Sequence, residues 1–225
     1  MGSFYPPSSV LVDEGWVRTQ DVRNLRNGCG EIFKLAVVKS RYLFDLLLSH
    51  GPLLISTSFQ SPPLISSKIF RTSIEVMLLE LGPNLWESTL SRPVDYGHTF
   101  SKVIEMLPEN NMMHGEAVAL DSFFTLVLSH LRGTLTYTSL TSCRSCLEGL
   151  GLPVYSSLLT VENCWTALCD AKEHRGGRMR VPFVADVGEV VYFVDDVTEE
   201  ELGRGIRWIK ERGWDEEWEG GREDC

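Results

Sequence analysis

Two histidines in the middle of the chain have the surroundings of metal ligands. His98 and His114 each adjoin a glycine, and each has a carboxylate nearby in the sequence, Asp95 and Glu116. Imidazole nitrogens that are oriented by hydrogen-bond acceptors are ligands for a zinc-like cation. From this spacing alone, metal ligation and a purely structural role for the two histidines are about equally good interpretations.

The residues around these histidines predict two helices joined by a short loop. The first begins at Gly97 and carries three polar side chains at i, i+4 and i+7 of one face: His98, Lys102 and Glu105. The segment Pro-Glu-Asn-Asn at 108–111 ends it. The second helix runs from Gly115 to about His130 and is apolar almost all round, which indicates burial. The loop could fold back and bring the two histidines together.

The composition limits the possible partners. The 225 residues are 43% hydrophobic, enough for one good core, and the net charge is −10. This charge argues against nucleic acid or an anionic membrane as a general partner, since both require a basic surface. No run of 18 apolar residues is present, and the first residues lack a signal-peptide pattern, so we expect a cytoplasmic protein.

The six cysteines favour reduced thiols over disulfides, because they are scattered through a chain of this size. Cys143 and Cys146 have zinc-site spacing, but no second ligand pair follows at the distance of a zinc finger. Cys143 also shares a helical stripe with Leu140 and Leu147, and we prefer this packing interpretation.

Two further groups of residues could do chemistry. Glu31 and Lys34 lie three apart at the start of an amphipathic pattern, where a solvated ion pair is the simpler interpretation. The second group, within residues 170–180, gathers basic and titratable side chains at a helix end beside a Gly-Gly turn. It could hold a phosphate or a polyol, or it could simply complement a helix dipole.

The central stretch resembles the signature of the sugar phosphate cyclases, the superfamily of dehydroquinate synthase. The resemblance is carried by Gly-His-Thr-Phe at 97–100, by Glu105, and by His-Gly-Glu-Ala-Val-Ala at 114–119. The preceding Arg-Pro-Val-Asp-Tyr at 92–96 is similar to the branch that acts on sedoheptulose 7-phosphate, the 2-epi-5-epi-valiolone synthase type. Similar patches extend from about Tyr5 to Gly188.

This resemblance implies a site and a reaction. The implied metal ligands, for zinc or cobalt, are Glu31, His98 and His114. The implied catalytic residues are Lys34, Asp95 and Lys172, and the implied substrate-binding residues are His174 and Arg175. Lys102, one helical turn after His98, is predicted beside them as a catalytic residue that could contact a phosphate. The family reaction uses NAD for a transient oxidation, eliminates phosphate and closes a ring, so a phosphorylated sugar is the expected partner. Family analogy also implies a homodimer.

The expected fold is mainly α: the multi-helical carboxy-terminal domain of the dehydroquinate synthase-like fold. It would have a short strand at 10–13, a charge-free loop at 51–67, a helix capped by Thr160, and a small β-hairpin between Val181 and Val194. We expect residues 1–20 to be the remaining edge of a nucleotide-binding domain, 21–212 the helical domain, and 213–225 an acidic mobile tail. The sequence has no G-x-G-x-x-G, so the NAD site is expected to be absent from this chain.

Several alternatives stay open at this point. Asp95 and Met77 stand where dehydroquinate synthases usually have Asn and Lys, which disfavours a carboxylate-bearing substrate, whereas Lys102 matches neither branch. The chain could therefore be a cyclase half, a non-catalytic remnant or pairing subunit, or a 3-dehydroquinate synthase of the shikimate pathway. A metal-dependent alcohol dehydrogenase with a similar helical half is a further alternative.

Overall fold

A computed structural model describes residues 5, 7–86, 88–188 and 190–216, and it confirms the mainly α architecture. In chain order the helices are α1 (Val22–Lys39), α2 (Arg41–Ser56), α3 (Pro63–Leu81), α4 (Ser101–Met106), α5 (His114–Leu131), α6 (Tyr137–Gly149), α7 (Val161–His174) and α8 (Glu199–Glu211). The strands β1 (Val181–Asp186) and β2 (Val190–Val194) lie between α7 and α8. Short 3₁₀ helices span Glu14–Thr19, Gly82–Asn84 and Pro93–Asp95.

Helix α5 forms the centre of the fold. Every residue from Gly115 to Ser129 is buried, which confirms the helix that the all-round apolar pattern predicted. Helices α1, α4, α6 and α8 and strand β1 all pack against it. Within the described part of the chain, no helix is both long and apolar enough to cross a bilayer.

Side-chain caps determine two helix boundaries, of which the sequence predicted one, at Thr160, and missed the other, at Ser40. The Thr160 side chain accepts the Asn163 N–H and begins α7, as predicted. The amphipathic pattern that starts at Glu31 does not continue as one helix, because Ser40 adopts an extended φ of −150° and its hydroxyl accepts the Leu43 N–H. Ser40 therefore ends α1 and begins α2.

The loop predicted at 51–67 is too long, because only residues 57–62 separate the helices α2 and α3. Helix α2 continues through Pro52 to Ser56, and α3 begins at Pro63. Gly51, Leu54 and Ile55 are buried, so the packing of this turn outweighs its weak helix propensity. A proline in the first turn of α3 loses no intrahelical hydrogen bond, which makes Pro63 a good starting residue.

The short strand predicted at 10–13 is wrong. The segment has no strand partner, and the side chains of Val10, Leu11 and Val12 are 73%, 96% and 56% exposed. Asp13 instead accepts the Gly15 N–H and begins a 3₁₀ helix. A strand requires a neighbouring strand for its hydrogen bonds, and the sheet in the described residues contains only β1 and β2.

The predicted hairpin is confirmed, and the start of the tail is docked. Strands β1 and β2 pair antiparallel, from Val181 opposite Val194 to a bulge near Asp186. Trp214, within the predicted mobile tail, is buried against Trp208 and under the Arg144 guanidinium, with centroid distances of 5.1 and 4.5 Å. The prediction for residues 217–225 lies outside the described residues.

Helices α1 and α5 cross at two glycines. A Cβ atom on Gly30 would overlap the carbonyl oxygen of Gly115, and a Cβ on Gly115 would overlap the carbonyl oxygen of Asn27. Only residues without a side chain allow this approach of the two backbones. The crossing places the residues next to these glycines, Glu31 and His114, on facing turns.

We expect Gly30→Ala to lower the free energy of unfolding by about 1–3 kcal/mol, because a methyl group cannot enter this contact without moving a helix. Gly28→Ala is the matched control, since its Cβ would meet nothing within 4 Å. It should be neutral or stabilising by up to about 1 kcal/mol through helix propensity. Urea unfolding of both variants measures this, and equal effects would contradict the close crossing.

Candidate metal centre

Glu31, His98 and His114 converge in space although they are far apart in the sequence. One ligand-capable atom of each lies within 4.8 Å of the others. Glu31 Oε1 is 3.0 Å from His114 Nε2 and 3.4 Å from His98 Nε2. The two imidazole centroids are 5.2 Å apart. The three side chains can therefore share one ion.

The crossing of α1 and α5 positions two members of this triad. Glu31 follows Gly30 in α1, and His114 is the first residue of α5. The Asn27 side chain accepts the Gly115 N–H at 2.6 Å, which fixes the first turn of α5 against α1. The interhelical contact and the candidate metal centre are thus one local arrangement.

His98 lies in a turn rather than on a helix. Helix α4 begins at Ser101, so the expected polar face that joined His98 to Lys102 and Glu105 is wrong. Gly97 has a φ of +75°, and a Cβ there would contact Ser122 and Val118 of α5. This left-handed glycine turns the chain so that the His98 ring reaches Glu31.

The Nδ1 atoms of both rings face hydrogen-bond acceptors, which leaves Nε2 directed at Glu31. His114 Nδ1 is 3.1 Å from both Glu105 carboxylate oxygens, and His98 Nδ1 is 3.3 Å from the Tyr96 carbonyl oxygen. Because the Glu105 carboxylate and the Tyr96 carbonyl only accept, these contacts favour a proton on Nδ1, and the Nε2 lone pair would then be available to a metal ion. The orienting acceptors are therefore Glu105 and the Tyr96 carbonyl, and not the Glu116 and Asp95 that lie nearby in sequence.

Lys34 is held inside the same cluster. Its ammonium is nearly fully buried, 2.7 Å from Glu31 Oε2 and 3.5 Å from His98 Nδ1. The ion pair is therefore not the solvated surface pair that the helix pattern alone suggested. Lys34 holds one oxygen of Glu31 and leaves the other oxygen to the histidines.

The charge states suit a divalent cation. Burial, followed by repulsion from Lys34, lowers the pKa of His98 to about 4, so its imidazole is neutral at physiological pH. Burial raises the pKa of Glu31, but attraction to Lys34 and to the two histidines outweighs it, and the net pKa is lowered. Two imidazoles and one carboxylate match the three-ligand zinc sites that keep a coordination position for substrate.

A cleft with a volume of about 160 Å³ adjoins His98 and contains most of the other predicted site residues. The predicted residues that line it are Asp95, His98, Lys102, His174 and Arg175. Lys172 is exposed on α7 and is not among the lining residues. The cleft lies between the turn at His98 and the end of α7.

Several lining residues are already engaged by protein groups. Arg92 pairs with both oxygens of Asp95, at 2.7 and 3.2 Å, so the charge of this carboxylate is balanced locally. Arg175 is buried and donates to the carbonyl oxygens of Met179 and Arg180, at 3.0 and 3.2 Å. His174 is exposed and lies 3.4 Å from Asp170.

The sequence analysis missed Arg23 and Asp121, and it expected Glu116 to orient His114 rather than to pair with Arg23. Arg23 donates to both oxygens of the fully buried Glu116, each at 2.9 Å. Asp121, also fully buried, accepts backbone N–H groups from the turn after His98. A carboxylate inside an otherwise apolar helix was the available signal, because burying a charge is costly unless it is paired.

The Cys-x-x-Cys spacing does not form a second metal centre in the described part of the chain. Cys143 and Cys146 are buried and unpaired on α6. Burial raises the pKa of Cys146 to about 12, which keeps its sulfur a thiol. Among the residues that the structure describes, the one group of three close enough to bind an ion is the triad.

Comparison with a protein-family model shows what the whole site resembles. Residues 28–174 match the model described as 3-dehydroquinate synthase C-terminal. This range contains all three members of the triad.

Two curated relatives are both 2-epi-5-epi-valiolone synthases. One, from Streptomyces hygroscopicus subsp. jinggangensis, is 39% identical over 94% of this chain. Another, from Actinoplanes sp., is 42% identical over 90% of this chain. The chain spans about half the length of these relatives, 52% of each.

Solved structures agree with this relationship. The Streptomyces hygroscopicus 2-epi-5-epi-valiolone synthase, with NAD⁺ and Zn²⁺ bound, superposes with a TM-score of 0.89 at 40% identity, covering 94% of this chain and 58% of that one. A 2-deoxy-scyllo-inosose synthase complexed with carbaglucose-6-phosphate, NAD⁺ and Co²⁺ has a TM-score of 0.67 at 17% identity, covering 91% and 56%. The second similarity shows the fold alone.

We expect the purified protein to bind one zinc or cobalt ion per chain. His98→Ala should weaken binding by more than ~100-fold, beyond the ~10–100-fold typical when an outer partner of a ligand is lost. His174→Ala, which removes an exposed histidine outside the triad, should bind as the wild type does. Titration calorimetry with elemental analysis measures this, and wild-type affinity in His98→Ala would rule out the site.

Proposed function

The chain belongs to the dehydroquinate synthase-like family of sugar phosphate cyclases and corresponds to its carboxy-terminal part, and from this premise we propose its function. We propose that it supplies the metal- and substrate-binding half of a cyclase that acts on sedoheptulose 7-phosphate. The observation that carries this proposal is the triad of Glu31, His98 and His114 beside a charged cleft.

The triad fits the metal that the family implies. Glu31, His98 and His114 would hold zinc or cobalt, and the bound ion would supply Lewis-acid polarisation of a substrate oxygen. The protein's own residues prepare this site. Lys34 fixes the Glu31 carboxylate, and Glu105 fixes the His114 ring through Nδ1.

The cleft suits a phosphorylated sugar in a protein whose net charge is −10. Lys102, Arg92 and His174 offer local cations or hydrogen-bond donors, and Lys172 lies on the same helix as His174. Asp95 neutralises the charge of Arg92, which makes the cleft less attractive to a substrate that carries its own carboxylate. This charge pattern supports the sedoheptulose branch over 3-dehydroquinate synthase.

The NAD-binding half would come from another segment or chain. The Streptomyces enzyme structure contains NAD⁺, and this chain covers only 58% of it. NAD in that half would accept and return the hydride. Val10, Leu11, Val12, Trp16 and Leu79 are all more than half exposed, and such a half would cover these apolar side chains.

A non-catalytic remnant or pairing subunit is the second candidate function. The observation in its favour is that these 225 residues contain no G-x-G-x-x-G loop. Such a protein could keep the triad and the fold and still catalyse nothing by itself.

We expect this chain to release inorganic phosphate from sedoheptulose 7-phosphate when it is mixed with NAD, zinc and the nucleotide-binding half of the Streptomyces relative. His98→Ala should abolish the release. His174→Ala changes the cleft but keeps the triad, so it shows how much activity is lost without loss of the metal. If the halves associate and zinc binds but no sugar phosphate reacts, the remnant is correct. Release only from the substrate of 3-dehydroquinate synthase would reassign the branch.

We expect Asp95→Asn to improve the affinity for carboxylate-bearing sugar phosphates by about 10-fold, or roughly 1.4 kcal/mol. The substitution removes the counter-charge of Arg92, so the cleft becomes more positive. Affinity for sedoheptulose 7-phosphate should change less. Calorimetric titration of both ligands tests this, and Asp45→Asn, which alters an exposed ion pair on α2, is the control.

A further inference from the structure

One buried carboxylate, that of Asp121, accepts hydrogen bonds from the backbone N–H groups that follow His98. Asp121 Oδ2 accepts the backbone N–H groups of Thr99, Phe100 and Ser101 at 2.8, 2.6 and 3.0 Å. These donors open α4 and have no partner inside that helix. Thr125 donates to the other oxygen of Asp121 at 3.3 Å, and Asp121 is fully buried.

The guanidinium of Arg175 also binds this segment, through acceptors on His98 and Thr99. Arg175 Nη2 donates to the His98 carbonyl oxygen and Nη1 to the Thr99 hydroxyl, both at 3.4 Å. Nη1 also donates to the carbonyl oxygens of Met179 and Arg180. Arg175 therefore joins the turn after α7 to the backbone of His98.

We propose that Asp121 and Arg175 are positioning residues, which together set the place of His98 Nε2 relative to Glu31 and His114. This inference rests on the metal-binding function proposed above. Neither residue belongs to the triad. Both act on the backbone at and just after His98, so loss of either would shift the imidazole through the chain that carries it. Arg175, expected from the family resemblance to bind substrate, then has a second task.

The matched substitutions differ in what they can hold. Asp121→Ala removes the acceptor of all three N–H groups, whereas Asp121→Asn keeps one carbonyl oxygen and can donate its amide to Thr125. Arg175→Lys keeps the charge but cannot reach acceptors on both sides with one nitrogen. Arg178→Lys makes the same exchange at an exposed position of the same turn.

Zinc titration of these folded variants tests the proposal. We expect Asp121→Ala and Arg175→Lys to weaken zinc affinity by about 10–100-fold, with Asp121→Asn and Arg178→Lys close to wild type. The cobalt absorption spectrum of the first pair should also change, because ligand geometry has changed. A purely structural role would lower the free energy of unfolding but leave zinc affinity and the cobalt spectrum of the folded protein as in the wild type.

A metal-free measurement keeps this proposal separate from the proposed function. Amide hydrogen exchange at residues 99–101 should be faster in Asp121→Ala, and the His98 ring ¹⁵N shifts should move in both Asp121→Ala and Arg175→Lys. If wild-type protein binds no zinc, the proposed function fails, and these shifts alone decide the positioning role. Unchanged exchange and unchanged His98 shifts in folded variants would overturn it.

Discussion

The close crossing of α1 and α5 is the contact on which the candidate metal centre depends. Backbone meets backbone at Gly30 and Gly115, and the next residues along each helix are Glu31 and His114. A side chain on either glycine would separate the helices by more than the tolerance of a coordination sphere. The same contact therefore determines both the packing of the core and the positions of two triad residues. Helix α5 is buried along its length.

Buried charges extend this constraint to the third ligand. Glu116 and Asp121 lie within α5, and each is satisfied by groups outside the helix: Arg23 of α1, and the N–H groups that follow His98. Removing one partner of a buried charge is far more costly than removing a surface pair, so these contacts tolerate little change. Such contacts define one geometry. Together with the glycine crossing, they hold α1, α5 and the His98 turn as one unit.

The surroundings of the site are consistent with half of a larger catalytic unit. The triad is partly open, and the adjoining cleft carries both signs of charge. The start of the chain and α3 present large apolar side chains to solvent, including Leu11 at 96% and Leu79 at 73% exposed. In relatives about twice as long, NAD⁺ and a metal ion are bound in one enzyme. The chemistry proposed for this chain requires the same combination, with the nucleotide brought from outside the described residues.

The resemblance to a known family supplied the three ligands of the triad. The sequence by itself determined the burial of α5, the Thr160 cap and the hairpin. Each of these depends on local periodicity or local hydrogen bonding, which neighbouring residues encode. Tertiary structure decided the rest. Glu105 rather than Glu116 contacts His114, and His98 lies before the first residue of α4. Arg175 donates to the His98 carbonyl oxygen, and residues 10–13 have no strand partner. The partners are 9 residues apart for Glu105 and His114 and 77 residues apart for Arg175 and His98, and no local pattern records which acceptor a donor will meet.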